Sequence, residues 1–232
     1  MTGNPAGPVL EAVNVHKFYE FQRPFSRKKR RIEALRGVSL SVAAGSVMGI
    51  AGPSGCGKST LARCLAGIET PSSGTIAMSG AGSRCCPVQL VVQDASFAIN
   101  PRFSAAEALS EPLVIRQGGS AGDHRARVLD LMEAVGLPGA WLAKRPSEFS
   151  GGQLQRLAIA RALAANPRVL ILDEALASLD ISTAMRILGL LQGCRDRDGL
   201  SCLIVSHDLT LLGAAANEIV MMEAGLVAAI NP

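Results

Sequence analysis

The residues with the clearest chemistry form one glycine-rich segment, Gly52-Pro53-Ser54-Gly55-Cys56-Gly57-Lys58-Ser59-Thr60. It satisfies the pattern G-x-x-x-x-G-K-[ST], which binds nucleotide phosphates. Glycines let the backbone curl so that successive N–H groups point at phosphate oxygens. Lys58 adds positive charge near the β- and γ-phosphates, and the Ser59 hydroxyl is suited to ligate Mg²⁺. The segment therefore predicts a nucleotide site.

The residues on either side provide the context that this pattern needs. Gly45 to Ala51 is apolar enough for a short buried strand, and Leu61 to Ala66 is typical of a helix start. A helix that begins at the loop would turn its positive N-terminus toward the phosphates. We therefore expect a strand, a phosphate-binding loop and a helix in that order.

Two acids follow a second apolar run, Val169 to Leu172. This is the pattern of a buried parallel strand with carboxylates at its C-terminal end. Asp173 suits a water-mediated hold on Mg²⁺, and Glu174 could polarise the water that attacks the γ-phosphate. The alternative, that both acids only cap the next helix, is weak in a chain that also has a phosphate loop.

A second glycine-rich segment reads Phe149-Ser150-Gly151-Gly152-Gln153-Leu154-Gln155-Arg156. It precedes an amphipathic run, Leu154 to Ala165, that stops at Asn166-Pro167. This predicts a second helix N-terminus with bare N–H groups and a hydroxyl, which is again an anion site. The segment resembles the signature motif of the ATP-binding cassette (ABC) transporter ATPases, with Phe149 where Leu is commoner.

Further family elements occur in the expected order. By resemblance, Gln93 senses Mg²⁺ and relays to the membrane partner, and Asp180, which ends Ser178-Leu179-Asp180, belongs to a loop that crosses a dimer interface. His207 matches the histidine that contacts the γ-phosphate and holds the attacking water. Tyr19 is the candidate for stacking on adenine, with Phe18 the alternative. Each residue alone has an ordinary structural explanation, but their shared order supports the resemblance.

The resemblance implies a two-subunit ATPase that uses ATP and Mg²⁺. Each ATP would lie between the phosphate loop of one subunit and the signature motif of the other. The implied catalytic residues are Glu174, His207 and Gln93, and the implied metal ligands are Ser59, Gln93 and Asp173. The implied nucleotide contacts are Tyr19, the loop Gly52 to Thr60, Phe149, Ser150, Gly151, Gly152, Gln153 and Asp180.

The family also implies partners and a place in the cell. We expect a second ABC ATPase subunit, identical or different, and integral membrane permease subunits. An extracytoplasmic solute-binding protein would act with them indirectly. The chain would then work at the cytoplasmic face of the membrane as a peripheral subunit.

The expected fold is α/β, a phosphate-loop NTPase core with a mostly parallel sheet. We predict N-terminal antiparallel strands at Val9 to Val15 and Ile32 to Val42, and an inserted helical subdomain at about 97–165, within one domain of 1–232. Ser104 to Glu107 is a capping-box pattern that starts a helix. The spacing of apolar residues predicts another helix from Asp123 to Val135.

Softer features point to one branch of the family. Val92 to Arg102 resembles the segment after the sensing glutamine in peptide and nickel importers. Lys144-Arg145-Pro146 and Asp173-Glu174-Ala175 look most like nickel-importer ATPases. The expected cargo is nickel, a nickel chelate or a short peptide, and no residue decides among them, because the ATPase does not touch the cargo.

Composition narrows the other possibilities. The formal net charge of +4 does not demand a polyanionic partner, and 3% aromatic residues leave little for a base-stacking platform, so we expect no nucleic-acid partner. The alternative function is a soluble ABC ATPase of DNA repair or translation, but no coiled-coil insertion, zinc module or second cassette is visible. No apolar run of about 18 residues and no signal-like N-terminus occurs, which favours the cytosol.

Two features have no role assigned by these motifs. The basic run Arg27 to Arg31 is interpreted as a solvated loop between two strands, with a nucleic-acid or lipid patch as the less favoured alternative. Cys85-Cys86 lacks the spacing of a metal site, so structural thiols are favoured. Cys56 differs because it lies inside the phosphate loop, where modification of its thiol should block nucleotide binding.

Overall fold

The structure is a computed structural model that describes residues 7–22, 29–79 and 87–231. Its elements, in chain order, are β1 (Pro8–Gln22), β2 (Lys29–Ala43), β3 (Val47–Ala51), α1 (Lys58–Leu65), β4 (Ser73–Met78), β5 (Val88–Val91), α2 (Ala105–Gln117), α3 (Arg125–Ala134), α4 (Gly151–Ala164), β6 (Val169–Asp173), α5 (Ile181–Asp198), β7 (Ser201–Val205), α6 (Leu209–Ala215), β8 (Glu218–Glu223) and β9 (Leu226–Asn231).

The chain forms two compact units. The first unit comprises Met1–Gly80 and Leu203–Pro232, and the second comprises Ala81–Cys202. The second unit is therefore inserted into the sequence of the first, and the chain returns to the first unit within β7.

The first unit is built on two sets of strands. In one, β1 pairs antiparallel with both β2 and β4. In the other, β3 pairs parallel with β8, and β8 pairs antiparallel with β9. All five residues of β3 are buried, as expected of a strand covered on both faces.

The two N-terminal strands are longer than predicted. We expected Val9 to Val15 and Ile32 to Val42, whereas β1 continues to Gln22 and β2 already begins at Lys29. The extension of β1 mixes aromatic with polar residues and that of β2 is basic, but cross-strand pairing continues through it, from His16 opposite Arg36 to Gln22 opposite Lys29. The ladder of backbone hydrogen bonds therefore sustains the strands where the apolar alternation has ended.

This pairing also corrects the interpretation of the basic run. Lys29, Arg30 and Arg31 belong to β2 rather than to a loop. Arg31 lies over the Phe18 ring, with its Cζ 3.6 Å from the ring centroid. Residues 27 and 28, and also Cys85-Cys86, lie outside the described residues.

The second unit contains four longer helices and a pair of parallel strands, β5 and β6. Helix α2 begins as predicted, because the Ser104 side chain accepts the N–H of Glu107 while the Glu107 carboxylate accepts the N–H of Ser104. Helix α2 is joined to α4 by an ion pair in which Arg161 Nη2 lies 2.6 Å from Glu111 Oε2. Helices α2 to α4 thus occupy the region expected to be a helical subdomain.

Helix α3 begins later than predicted. It starts at Arg125 instead of Asp123, because the Asp123 carboxylate accepts the N–H and the hydroxyl of Ser120, at 2.7 and 2.9 Å. A side chain that closes a turn in this way competes with helical geometry. The helix ends as expected, with Gly136 in the left-handed region at φ +74°.

The predicted fold class is confirmed. Helices accompany strands that are antiparallel near the N-terminus, while β3–β8 and β5–β6 are parallel pairs. Across the ranges that the structure describes, no helix has the length and apolar character needed to cross a membrane.

Candidate functional site

The phosphate loop lies between β3 and α1 of the first unit, as predicted. Gly52, Gly55 and Gly57 all have positive φ, at +147°, +79° and +108°. At two of these positions a side chain is also excluded by space, because a Cβ would collide with the carbonyl oxygen of Met222 at position 52 and of Ala34 at position 57. The loop therefore needs glycine both for its curvature and for its packing against neighbouring backbone.

Lys58 places a cation inside this loop. Its side chain is largely buried, and its Nζ donates to the carbonyl oxygens of Gly52 at 2.7 Å and Pro53 at 3.0 Å. The thiol of Cys56, itself buried, lies 4.0 Å from the same Nζ. An ammonium held by loop carbonyls at the N-terminus of α1 makes a site for an anion with several oxygens.

His207 belongs to the same unit. The N–H of Ser206 donates to the carbonyl of Ile50 in β3 at 3.1 Å, which ties the segment before His207 to the strand that leads into the phosphate loop. On the other side, the Asp208 carboxylate accepts the N–H groups of Thr210 and Leu211 and caps α6. His207 is exposed and lies between two fixed points of the backbone.

Tyr19 is held by an ionic cluster. Its hydroxyl donates to Glu69 Oε2 at 2.5 Å, Arg63 Nε donates to Glu69 Oε1 at 2.7 Å, and Lys17 Nζ lies 3.5 Å from Glu69 Oε2. Burial opposes ionisation of Glu69, but the hydrogen bonds from Tyr19 and Arg63 outweigh it, so the pKa of Glu69 is lowered. The motifs indicated none of the three partners, because this cluster joins β1 to α1 and to the residues after it.

The alternative aromatic residue is in a different environment. Phe18 is half-buried, and the guanidinium of Arg31 lies over its ring. Tyr19 is more exposed, at 36%, and Lys17 Nζ lies 5.2 Å from the centroid of its ring. The more open ring is that of Tyr19, which keeps it the better candidate for stacking on a base.

In the second unit, the predicted acids end a buried strand. All of β6 is buried, including Asp173 at its last position. Glu174 follows with φ +53°, a conformation that is uncommon for a residue with a side chain and that tends to occur at functional sites.

Gln93, the predicted sensing glutamine, lies at the same end of the paired strands as these acids. Strands β5 and β6 are parallel, with Val91 opposite Leu172. Gln93 therefore leaves β5 where Asp173 and Glu174 leave β6. The structure thus brings these three residues to one sheet edge of the second unit.

The signature segment starts α4, but its end is capped more fully than predicted. Ser150 Oγ accepts the N–H of Gln153 at 3.4 Å, and Gln153 Oε1 accepts the N–H of Ser150 at 3.0 Å. We expected bare N–H groups and a hydroxyl, whereas the hydroxyl and the N–H groups of Ser150 and Gln153 belong to a capping box. The groups best suited to an anion are the N–H groups of Gly151 and Gly152, since a helix offers its first turn no internal acceptor.

The other residues predicted to contact nucleotide have local contacts in the second unit. Phe149 is buried edge-to-face against Trp141, with ring centroids 6.0 Å apart. A Cβ on Gly152 would lie 3.6 Å from the carbonyl oxygen of Ser178, so the signature helix passes close to the predicted interface loop.

Asp180 ends this loop and caps α5. Its carboxylate accepts from the hydroxyl of Ser182 at 2.5 Å, and from the N–H of Thr183 at 2.9 Å and its hydroxyl at 2.7 Å. These hydrogen bonds hold the pKa of Asp180 well below its ordinary value. The carboxylate is thus ionised and oriented.

Among the described residues, no three His, Cys, Asp or Glu side chains cluster in a way that could hold a metal ion. Mg²⁺ bound with a nucleotide typically takes one or two protein oxygens and completes its shell with phosphates and water. A serine hydroxyl next to a buried lysine, and an acid at a strand end, are donors of that kind.

Comparison with known proteins assigns the family. The ABC transporter family matches residues 35–177. The dipeptide transport ATP-binding protein DppF of Haemophilus influenzae is 37% identical over 94% of this chain and 70% of its own length. The nickel import ATP-binding protein NikE of Escherichia coli is 38% identical over 88% of this chain and 80% of its own. A putative peptide import ATP-binding protein of Brucella abortus is 40% identical, and this chain spans 64% of its length.

Solved structures agree with the sequence relatives. A dimeric ATP-binding cassette in a post-hydrolysis state, bound to ADP and Pi, superposes with a TM-score of 0.85 at 27% identity, covering 96% of this chain and 97% of that one. CbiO1 of Clostridium perfringens, part of an ABC transporter complex, gives a TM-score of 0.76 at 26% identity, covering 97% of this chain and 88% of that one. The predicted resemblance is confirmed: this chain is an ATPase of the ABC transporter family.

Proposed function

We propose that this chain is the energy-coupling subunit of an importer for nickel, a nickel chelate or short peptides. The observation that carries the proposal is the phosphate loop, with its three left-handed glycines and a largely buried lysine at the start of α1. The named relatives are ATP-binding proteins of dipeptide, peptide and nickel import, which supports import over DNA repair or translation.

The phosphate loop would bind the β- and γ-phosphates of ATP. The carbonyl oxygens of Gly52 and Pro53 hold the Lys58 ammonium within the loop, so the charge is in place before a nucleotide arrives. Ser59, Gln93 and Asp173 would hold Mg²⁺ with the phosphates, and bound Mg²⁺ would neutralise charge on the transferred phosphoryl group. Tyr19, oriented by Glu69, would stack on the adenine.

Hydrolysis would depend on Glu174 and His207. The Glu174 carboxylate follows the buried strand β6 and would accept a proton from the attacking water. The exposed His207 side chain would contact the γ-phosphate and hold that water. The left-handed backbone at Glu174 supports this role, because strain of this kind persists where the side chain must point in one direction.

The second half of each site would come from another ATPase subunit, identical or different. The first turn of α4, at Ser150, Gly151 and Gly152, would contact the ATP held by the partner. ATP would thus stabilise the closed dimer, and its hydrolysis would reopen it. Closure would act on membrane permease subunits at the cytoplasmic face of the membrane, with a solute-binding protein delivering cargo from the other side.

Substitution of the proposed base tests the ATPase mechanism. Glu174→Gln should nearly abolish phosphate release and leave ATP bound in a closed dimer, because the amide keeps the shape but cannot accept the proton. Light scattering with ATP should show a dimer that persists in Glu174→Gln and dissociates in the wild type as ATP is consumed. Normal turnover in the variant would remove Glu174 from this role.

Uptake measurements test the cargo. Deletion of the gene should abolish uptake of radiolabelled nickel, and the wild-type gene should restore it while Glu174→Gln should not. Unchanged nickel uptake would exclude nickel, and labelled dipeptides and oligopeptides would then be tested in the same strains. Relatives of both kinds are 37–40% identical to this chain, so the transport assay has to decide.

A further inference from the structure

Gln155 is a fully buried amide in the second unit. It lies on α4, one turn after the start of the signature helix, with only 1% of its surface exposed. Its Nε2 donates to the carbonyl oxygen of Val92 at 3.0 Å. The two residues are 63 positions apart, so this hydrogen bond joins separate segments of the unit.

Burial of an amide is costly unless its polar atoms are paired. An apolar side chain of similar volume would fill the same space without that requirement. The hydrogen bond to Val92 compensates Gln155 for burial, and it also fixes one particular carbonyl group. Packing alone would not require an amide at this position. The hydrogen bond in addition fixes the position of the Val92 carbonyl group.

The carbonyl that is fixed belongs to the residue immediately before Gln93. The paired register of β5 with β6 runs to Val91 opposite Leu172, one residue short of Val92. On the other side of Gln93, the Asp94 carboxylate accepts the N–H of Ser96 at 2.9 Å and begins a short 3-10 turn, Ala95–Phe97. Gln93 thus has an exposed side chain on a backbone held on both sides.

We propose that Gln155 is a positioning residue that links the signature helix to Gln93. It sets where Gln93 leaves β5 relative to Ser150, Gly151 and Gly152 at the start of α4. A shift of either segment is transmitted to the other through one hydrogen bond. This inference rests on the proposed function, because it assigns Gln93 and the signature segment to the ATPase site.

The test compares Gln155→Met with a matched control, Ser110→Ala. Methionine has a similar length and volume but no N–H donor. Ser110 is also buried in the second unit, but its hydroxyl donates within α2, to the carbonyl of Ala106 at 2.8 Å. Both variants lose a buried side-chain hydrogen bond, and only Gln155→Met releases Val92. Gln155→Leu serves as a second variant should Gln155→Met fold poorly.

The first measurement is amide hydrogen exchange in the nucleotide-free chain. Gln155→Met should speed exchange of peptides covering residues 92–97 by about 2- to 10-fold, the opening expected from one hydrogen bond. Ser110→Ala should leave these peptides at the wild-type rate while lowering the Tm. Wild-type exchange at residues 92–97 in both Gln155 variants would overturn the proposal.

The second measurement is ATP hydrolysis as a function of Mg²⁺, in a double-mutant cycle with Gln93→Ala. If Gln155 acts through Gln93, its substitution should raise the Mg²⁺ concentration for half-maximal rate by about 2- to 10-fold, and this effect should vanish in the Gln93→Ala background. Additive effects would overturn the link while leaving the proposed function standing. If Gln93→Ala itself had the Mg²⁺ dependence of the wild type, Gln93 would be removed from the site. The link through Gln155 and the proposed role of Gln93 would then both be overturned.

Discussion

At the scale of single residues, the phosphate loop shows two separate demands for glycine. Gly57 has φ +108° and also no room for a Cβ, because the carbonyl oxygen of Ala34 occupies that space. Gly67, two residues after the end of α1, has φ +71° but nothing within 4 Å of a Cβ. Comparison of the two positions therefore separates the cost of a left-handed backbone conformation from the cost of a collision between a Cβ and neighbouring backbone.

We therefore predict different outcomes for alanine at these positions. Gly67→Ala should cost about 1 kcal/mol of stability, the penalty of a left-handed non-glycine residue, and should leave ATP affinity unchanged. Gly57→Ala should cost roughly 2–3 kcal/mol and abolish ATP binding, because the loop must move away from Ala34. Denaturant unfolding and nucleotide titration measure the two effects. Equal losses in both variants would show that the collision does not matter.

Glu69 gives a prediction about pH. Its folded-state pKa is lowered, so its contribution to stability is present above its unfolded pKa, about 4.3, and is lost as the pH falls through the folded pKa. Glu69→Gln should be less stable than the wild type by about 1 kcal/mol at pH 7. That difference should shrink below about pH 4. Glu33→Gln is the control, since Glu33 is half-exposed and pairs with Arg31 at 3.2 Å on the surface.

Unfolding curves of the three proteins between pH 3 and 8 measure this difference. Glu33→Gln should follow the wild type closely throughout. A gap between Glu69→Gln and the wild type that does not change with pH would contradict an ionic role for Glu69.

The same residues show how far the sequence alone could lead. The phosphate loop is contiguous in sequence. Its residue types and spacing therefore predicted the curved backbone, the position of the Lys58 ammonium and the start of α1. The partners of Tyr19 were not predictable in this way, because Glu69 is 50 positions away and reaches it only once β1 and α1 have packed. Gln155 and Val92 were missed for the same reason.

At the scale of elements, two helices of the second unit begin with the same device. Ser104 starts α2 and Ser150 starts α4, each in a capping box, with side-chain-to-N–H distances of 3.3 and 3.4 Å. The local chemistry is matched, while only α4 carries the signature segment. Substitution of these two serines can therefore separate the effect of losing a helix cap from the effect of losing a nucleotide contact.

We predict that Ser104→Ala and Ser150→Ala each cost about 1 kcal/mol of stability, the usual loss for a helix cap. Only Ser150→Ala should also lower the rate of ATP hydrolysis, because only its hydroxyl and helix start would face the partner's nucleotide. The loss of stability is measured as the change in Tm, and the loss of hydrolysis is measured as steady-state phosphate release. An equal loss of hydrolysis in both would mean that helix stability, and not nucleotide contact, is responsible.

Element boundaries were predictable where the signal is local. Ser104 and Glu107 stand three residues apart, and the helix starts there. The lengths of β1 and β2 were wrong, because polar residues such as His16 and Lys17 stay in a strand only through their cross-strand partners. The start of α3 was wrong because one side chain, Asp123, closes a turn before the helix begins.

At the scale of the whole molecule, the proposal of shared sites predicts complementation between two inactive chains. Lys58→Ala should fail in the phosphate loop, and Gly151→Asp should fail at the signature helix, where nothing lies within 4 Å of a Cβ and the added carboxylate would repel phosphate. If identical subunits pair, a mixture contains dimers with one intact composite site. Partial recovery of ATP hydrolysis on mixing is therefore expected.

The control is each variant alone at the total concentration of the mixture, where hydrolysis should stay at background. A mixture as inactive as its components would contradict pairing between identical chains. The required second ATPase would then be a different protein.

The insertion of residues 81–202 into the sequence of the first unit has a consequence for biosynthesis. The ribosome releases the second unit, with α4 and its capped start, as one uninterrupted stretch, whereas β3 must wait for β8, 170 residues later, before the Met48–Glu218 pairing can form. Domains tend to fold as units while the nascent chain emerges. Under the proposed function, the start of α4, which would contact a partner's ATP, is therefore made early, and the pairing of β3 that precedes the phosphate loop forms only after β8 is made. A chain terminated before β8 would carry the start of α4 without a paired β3.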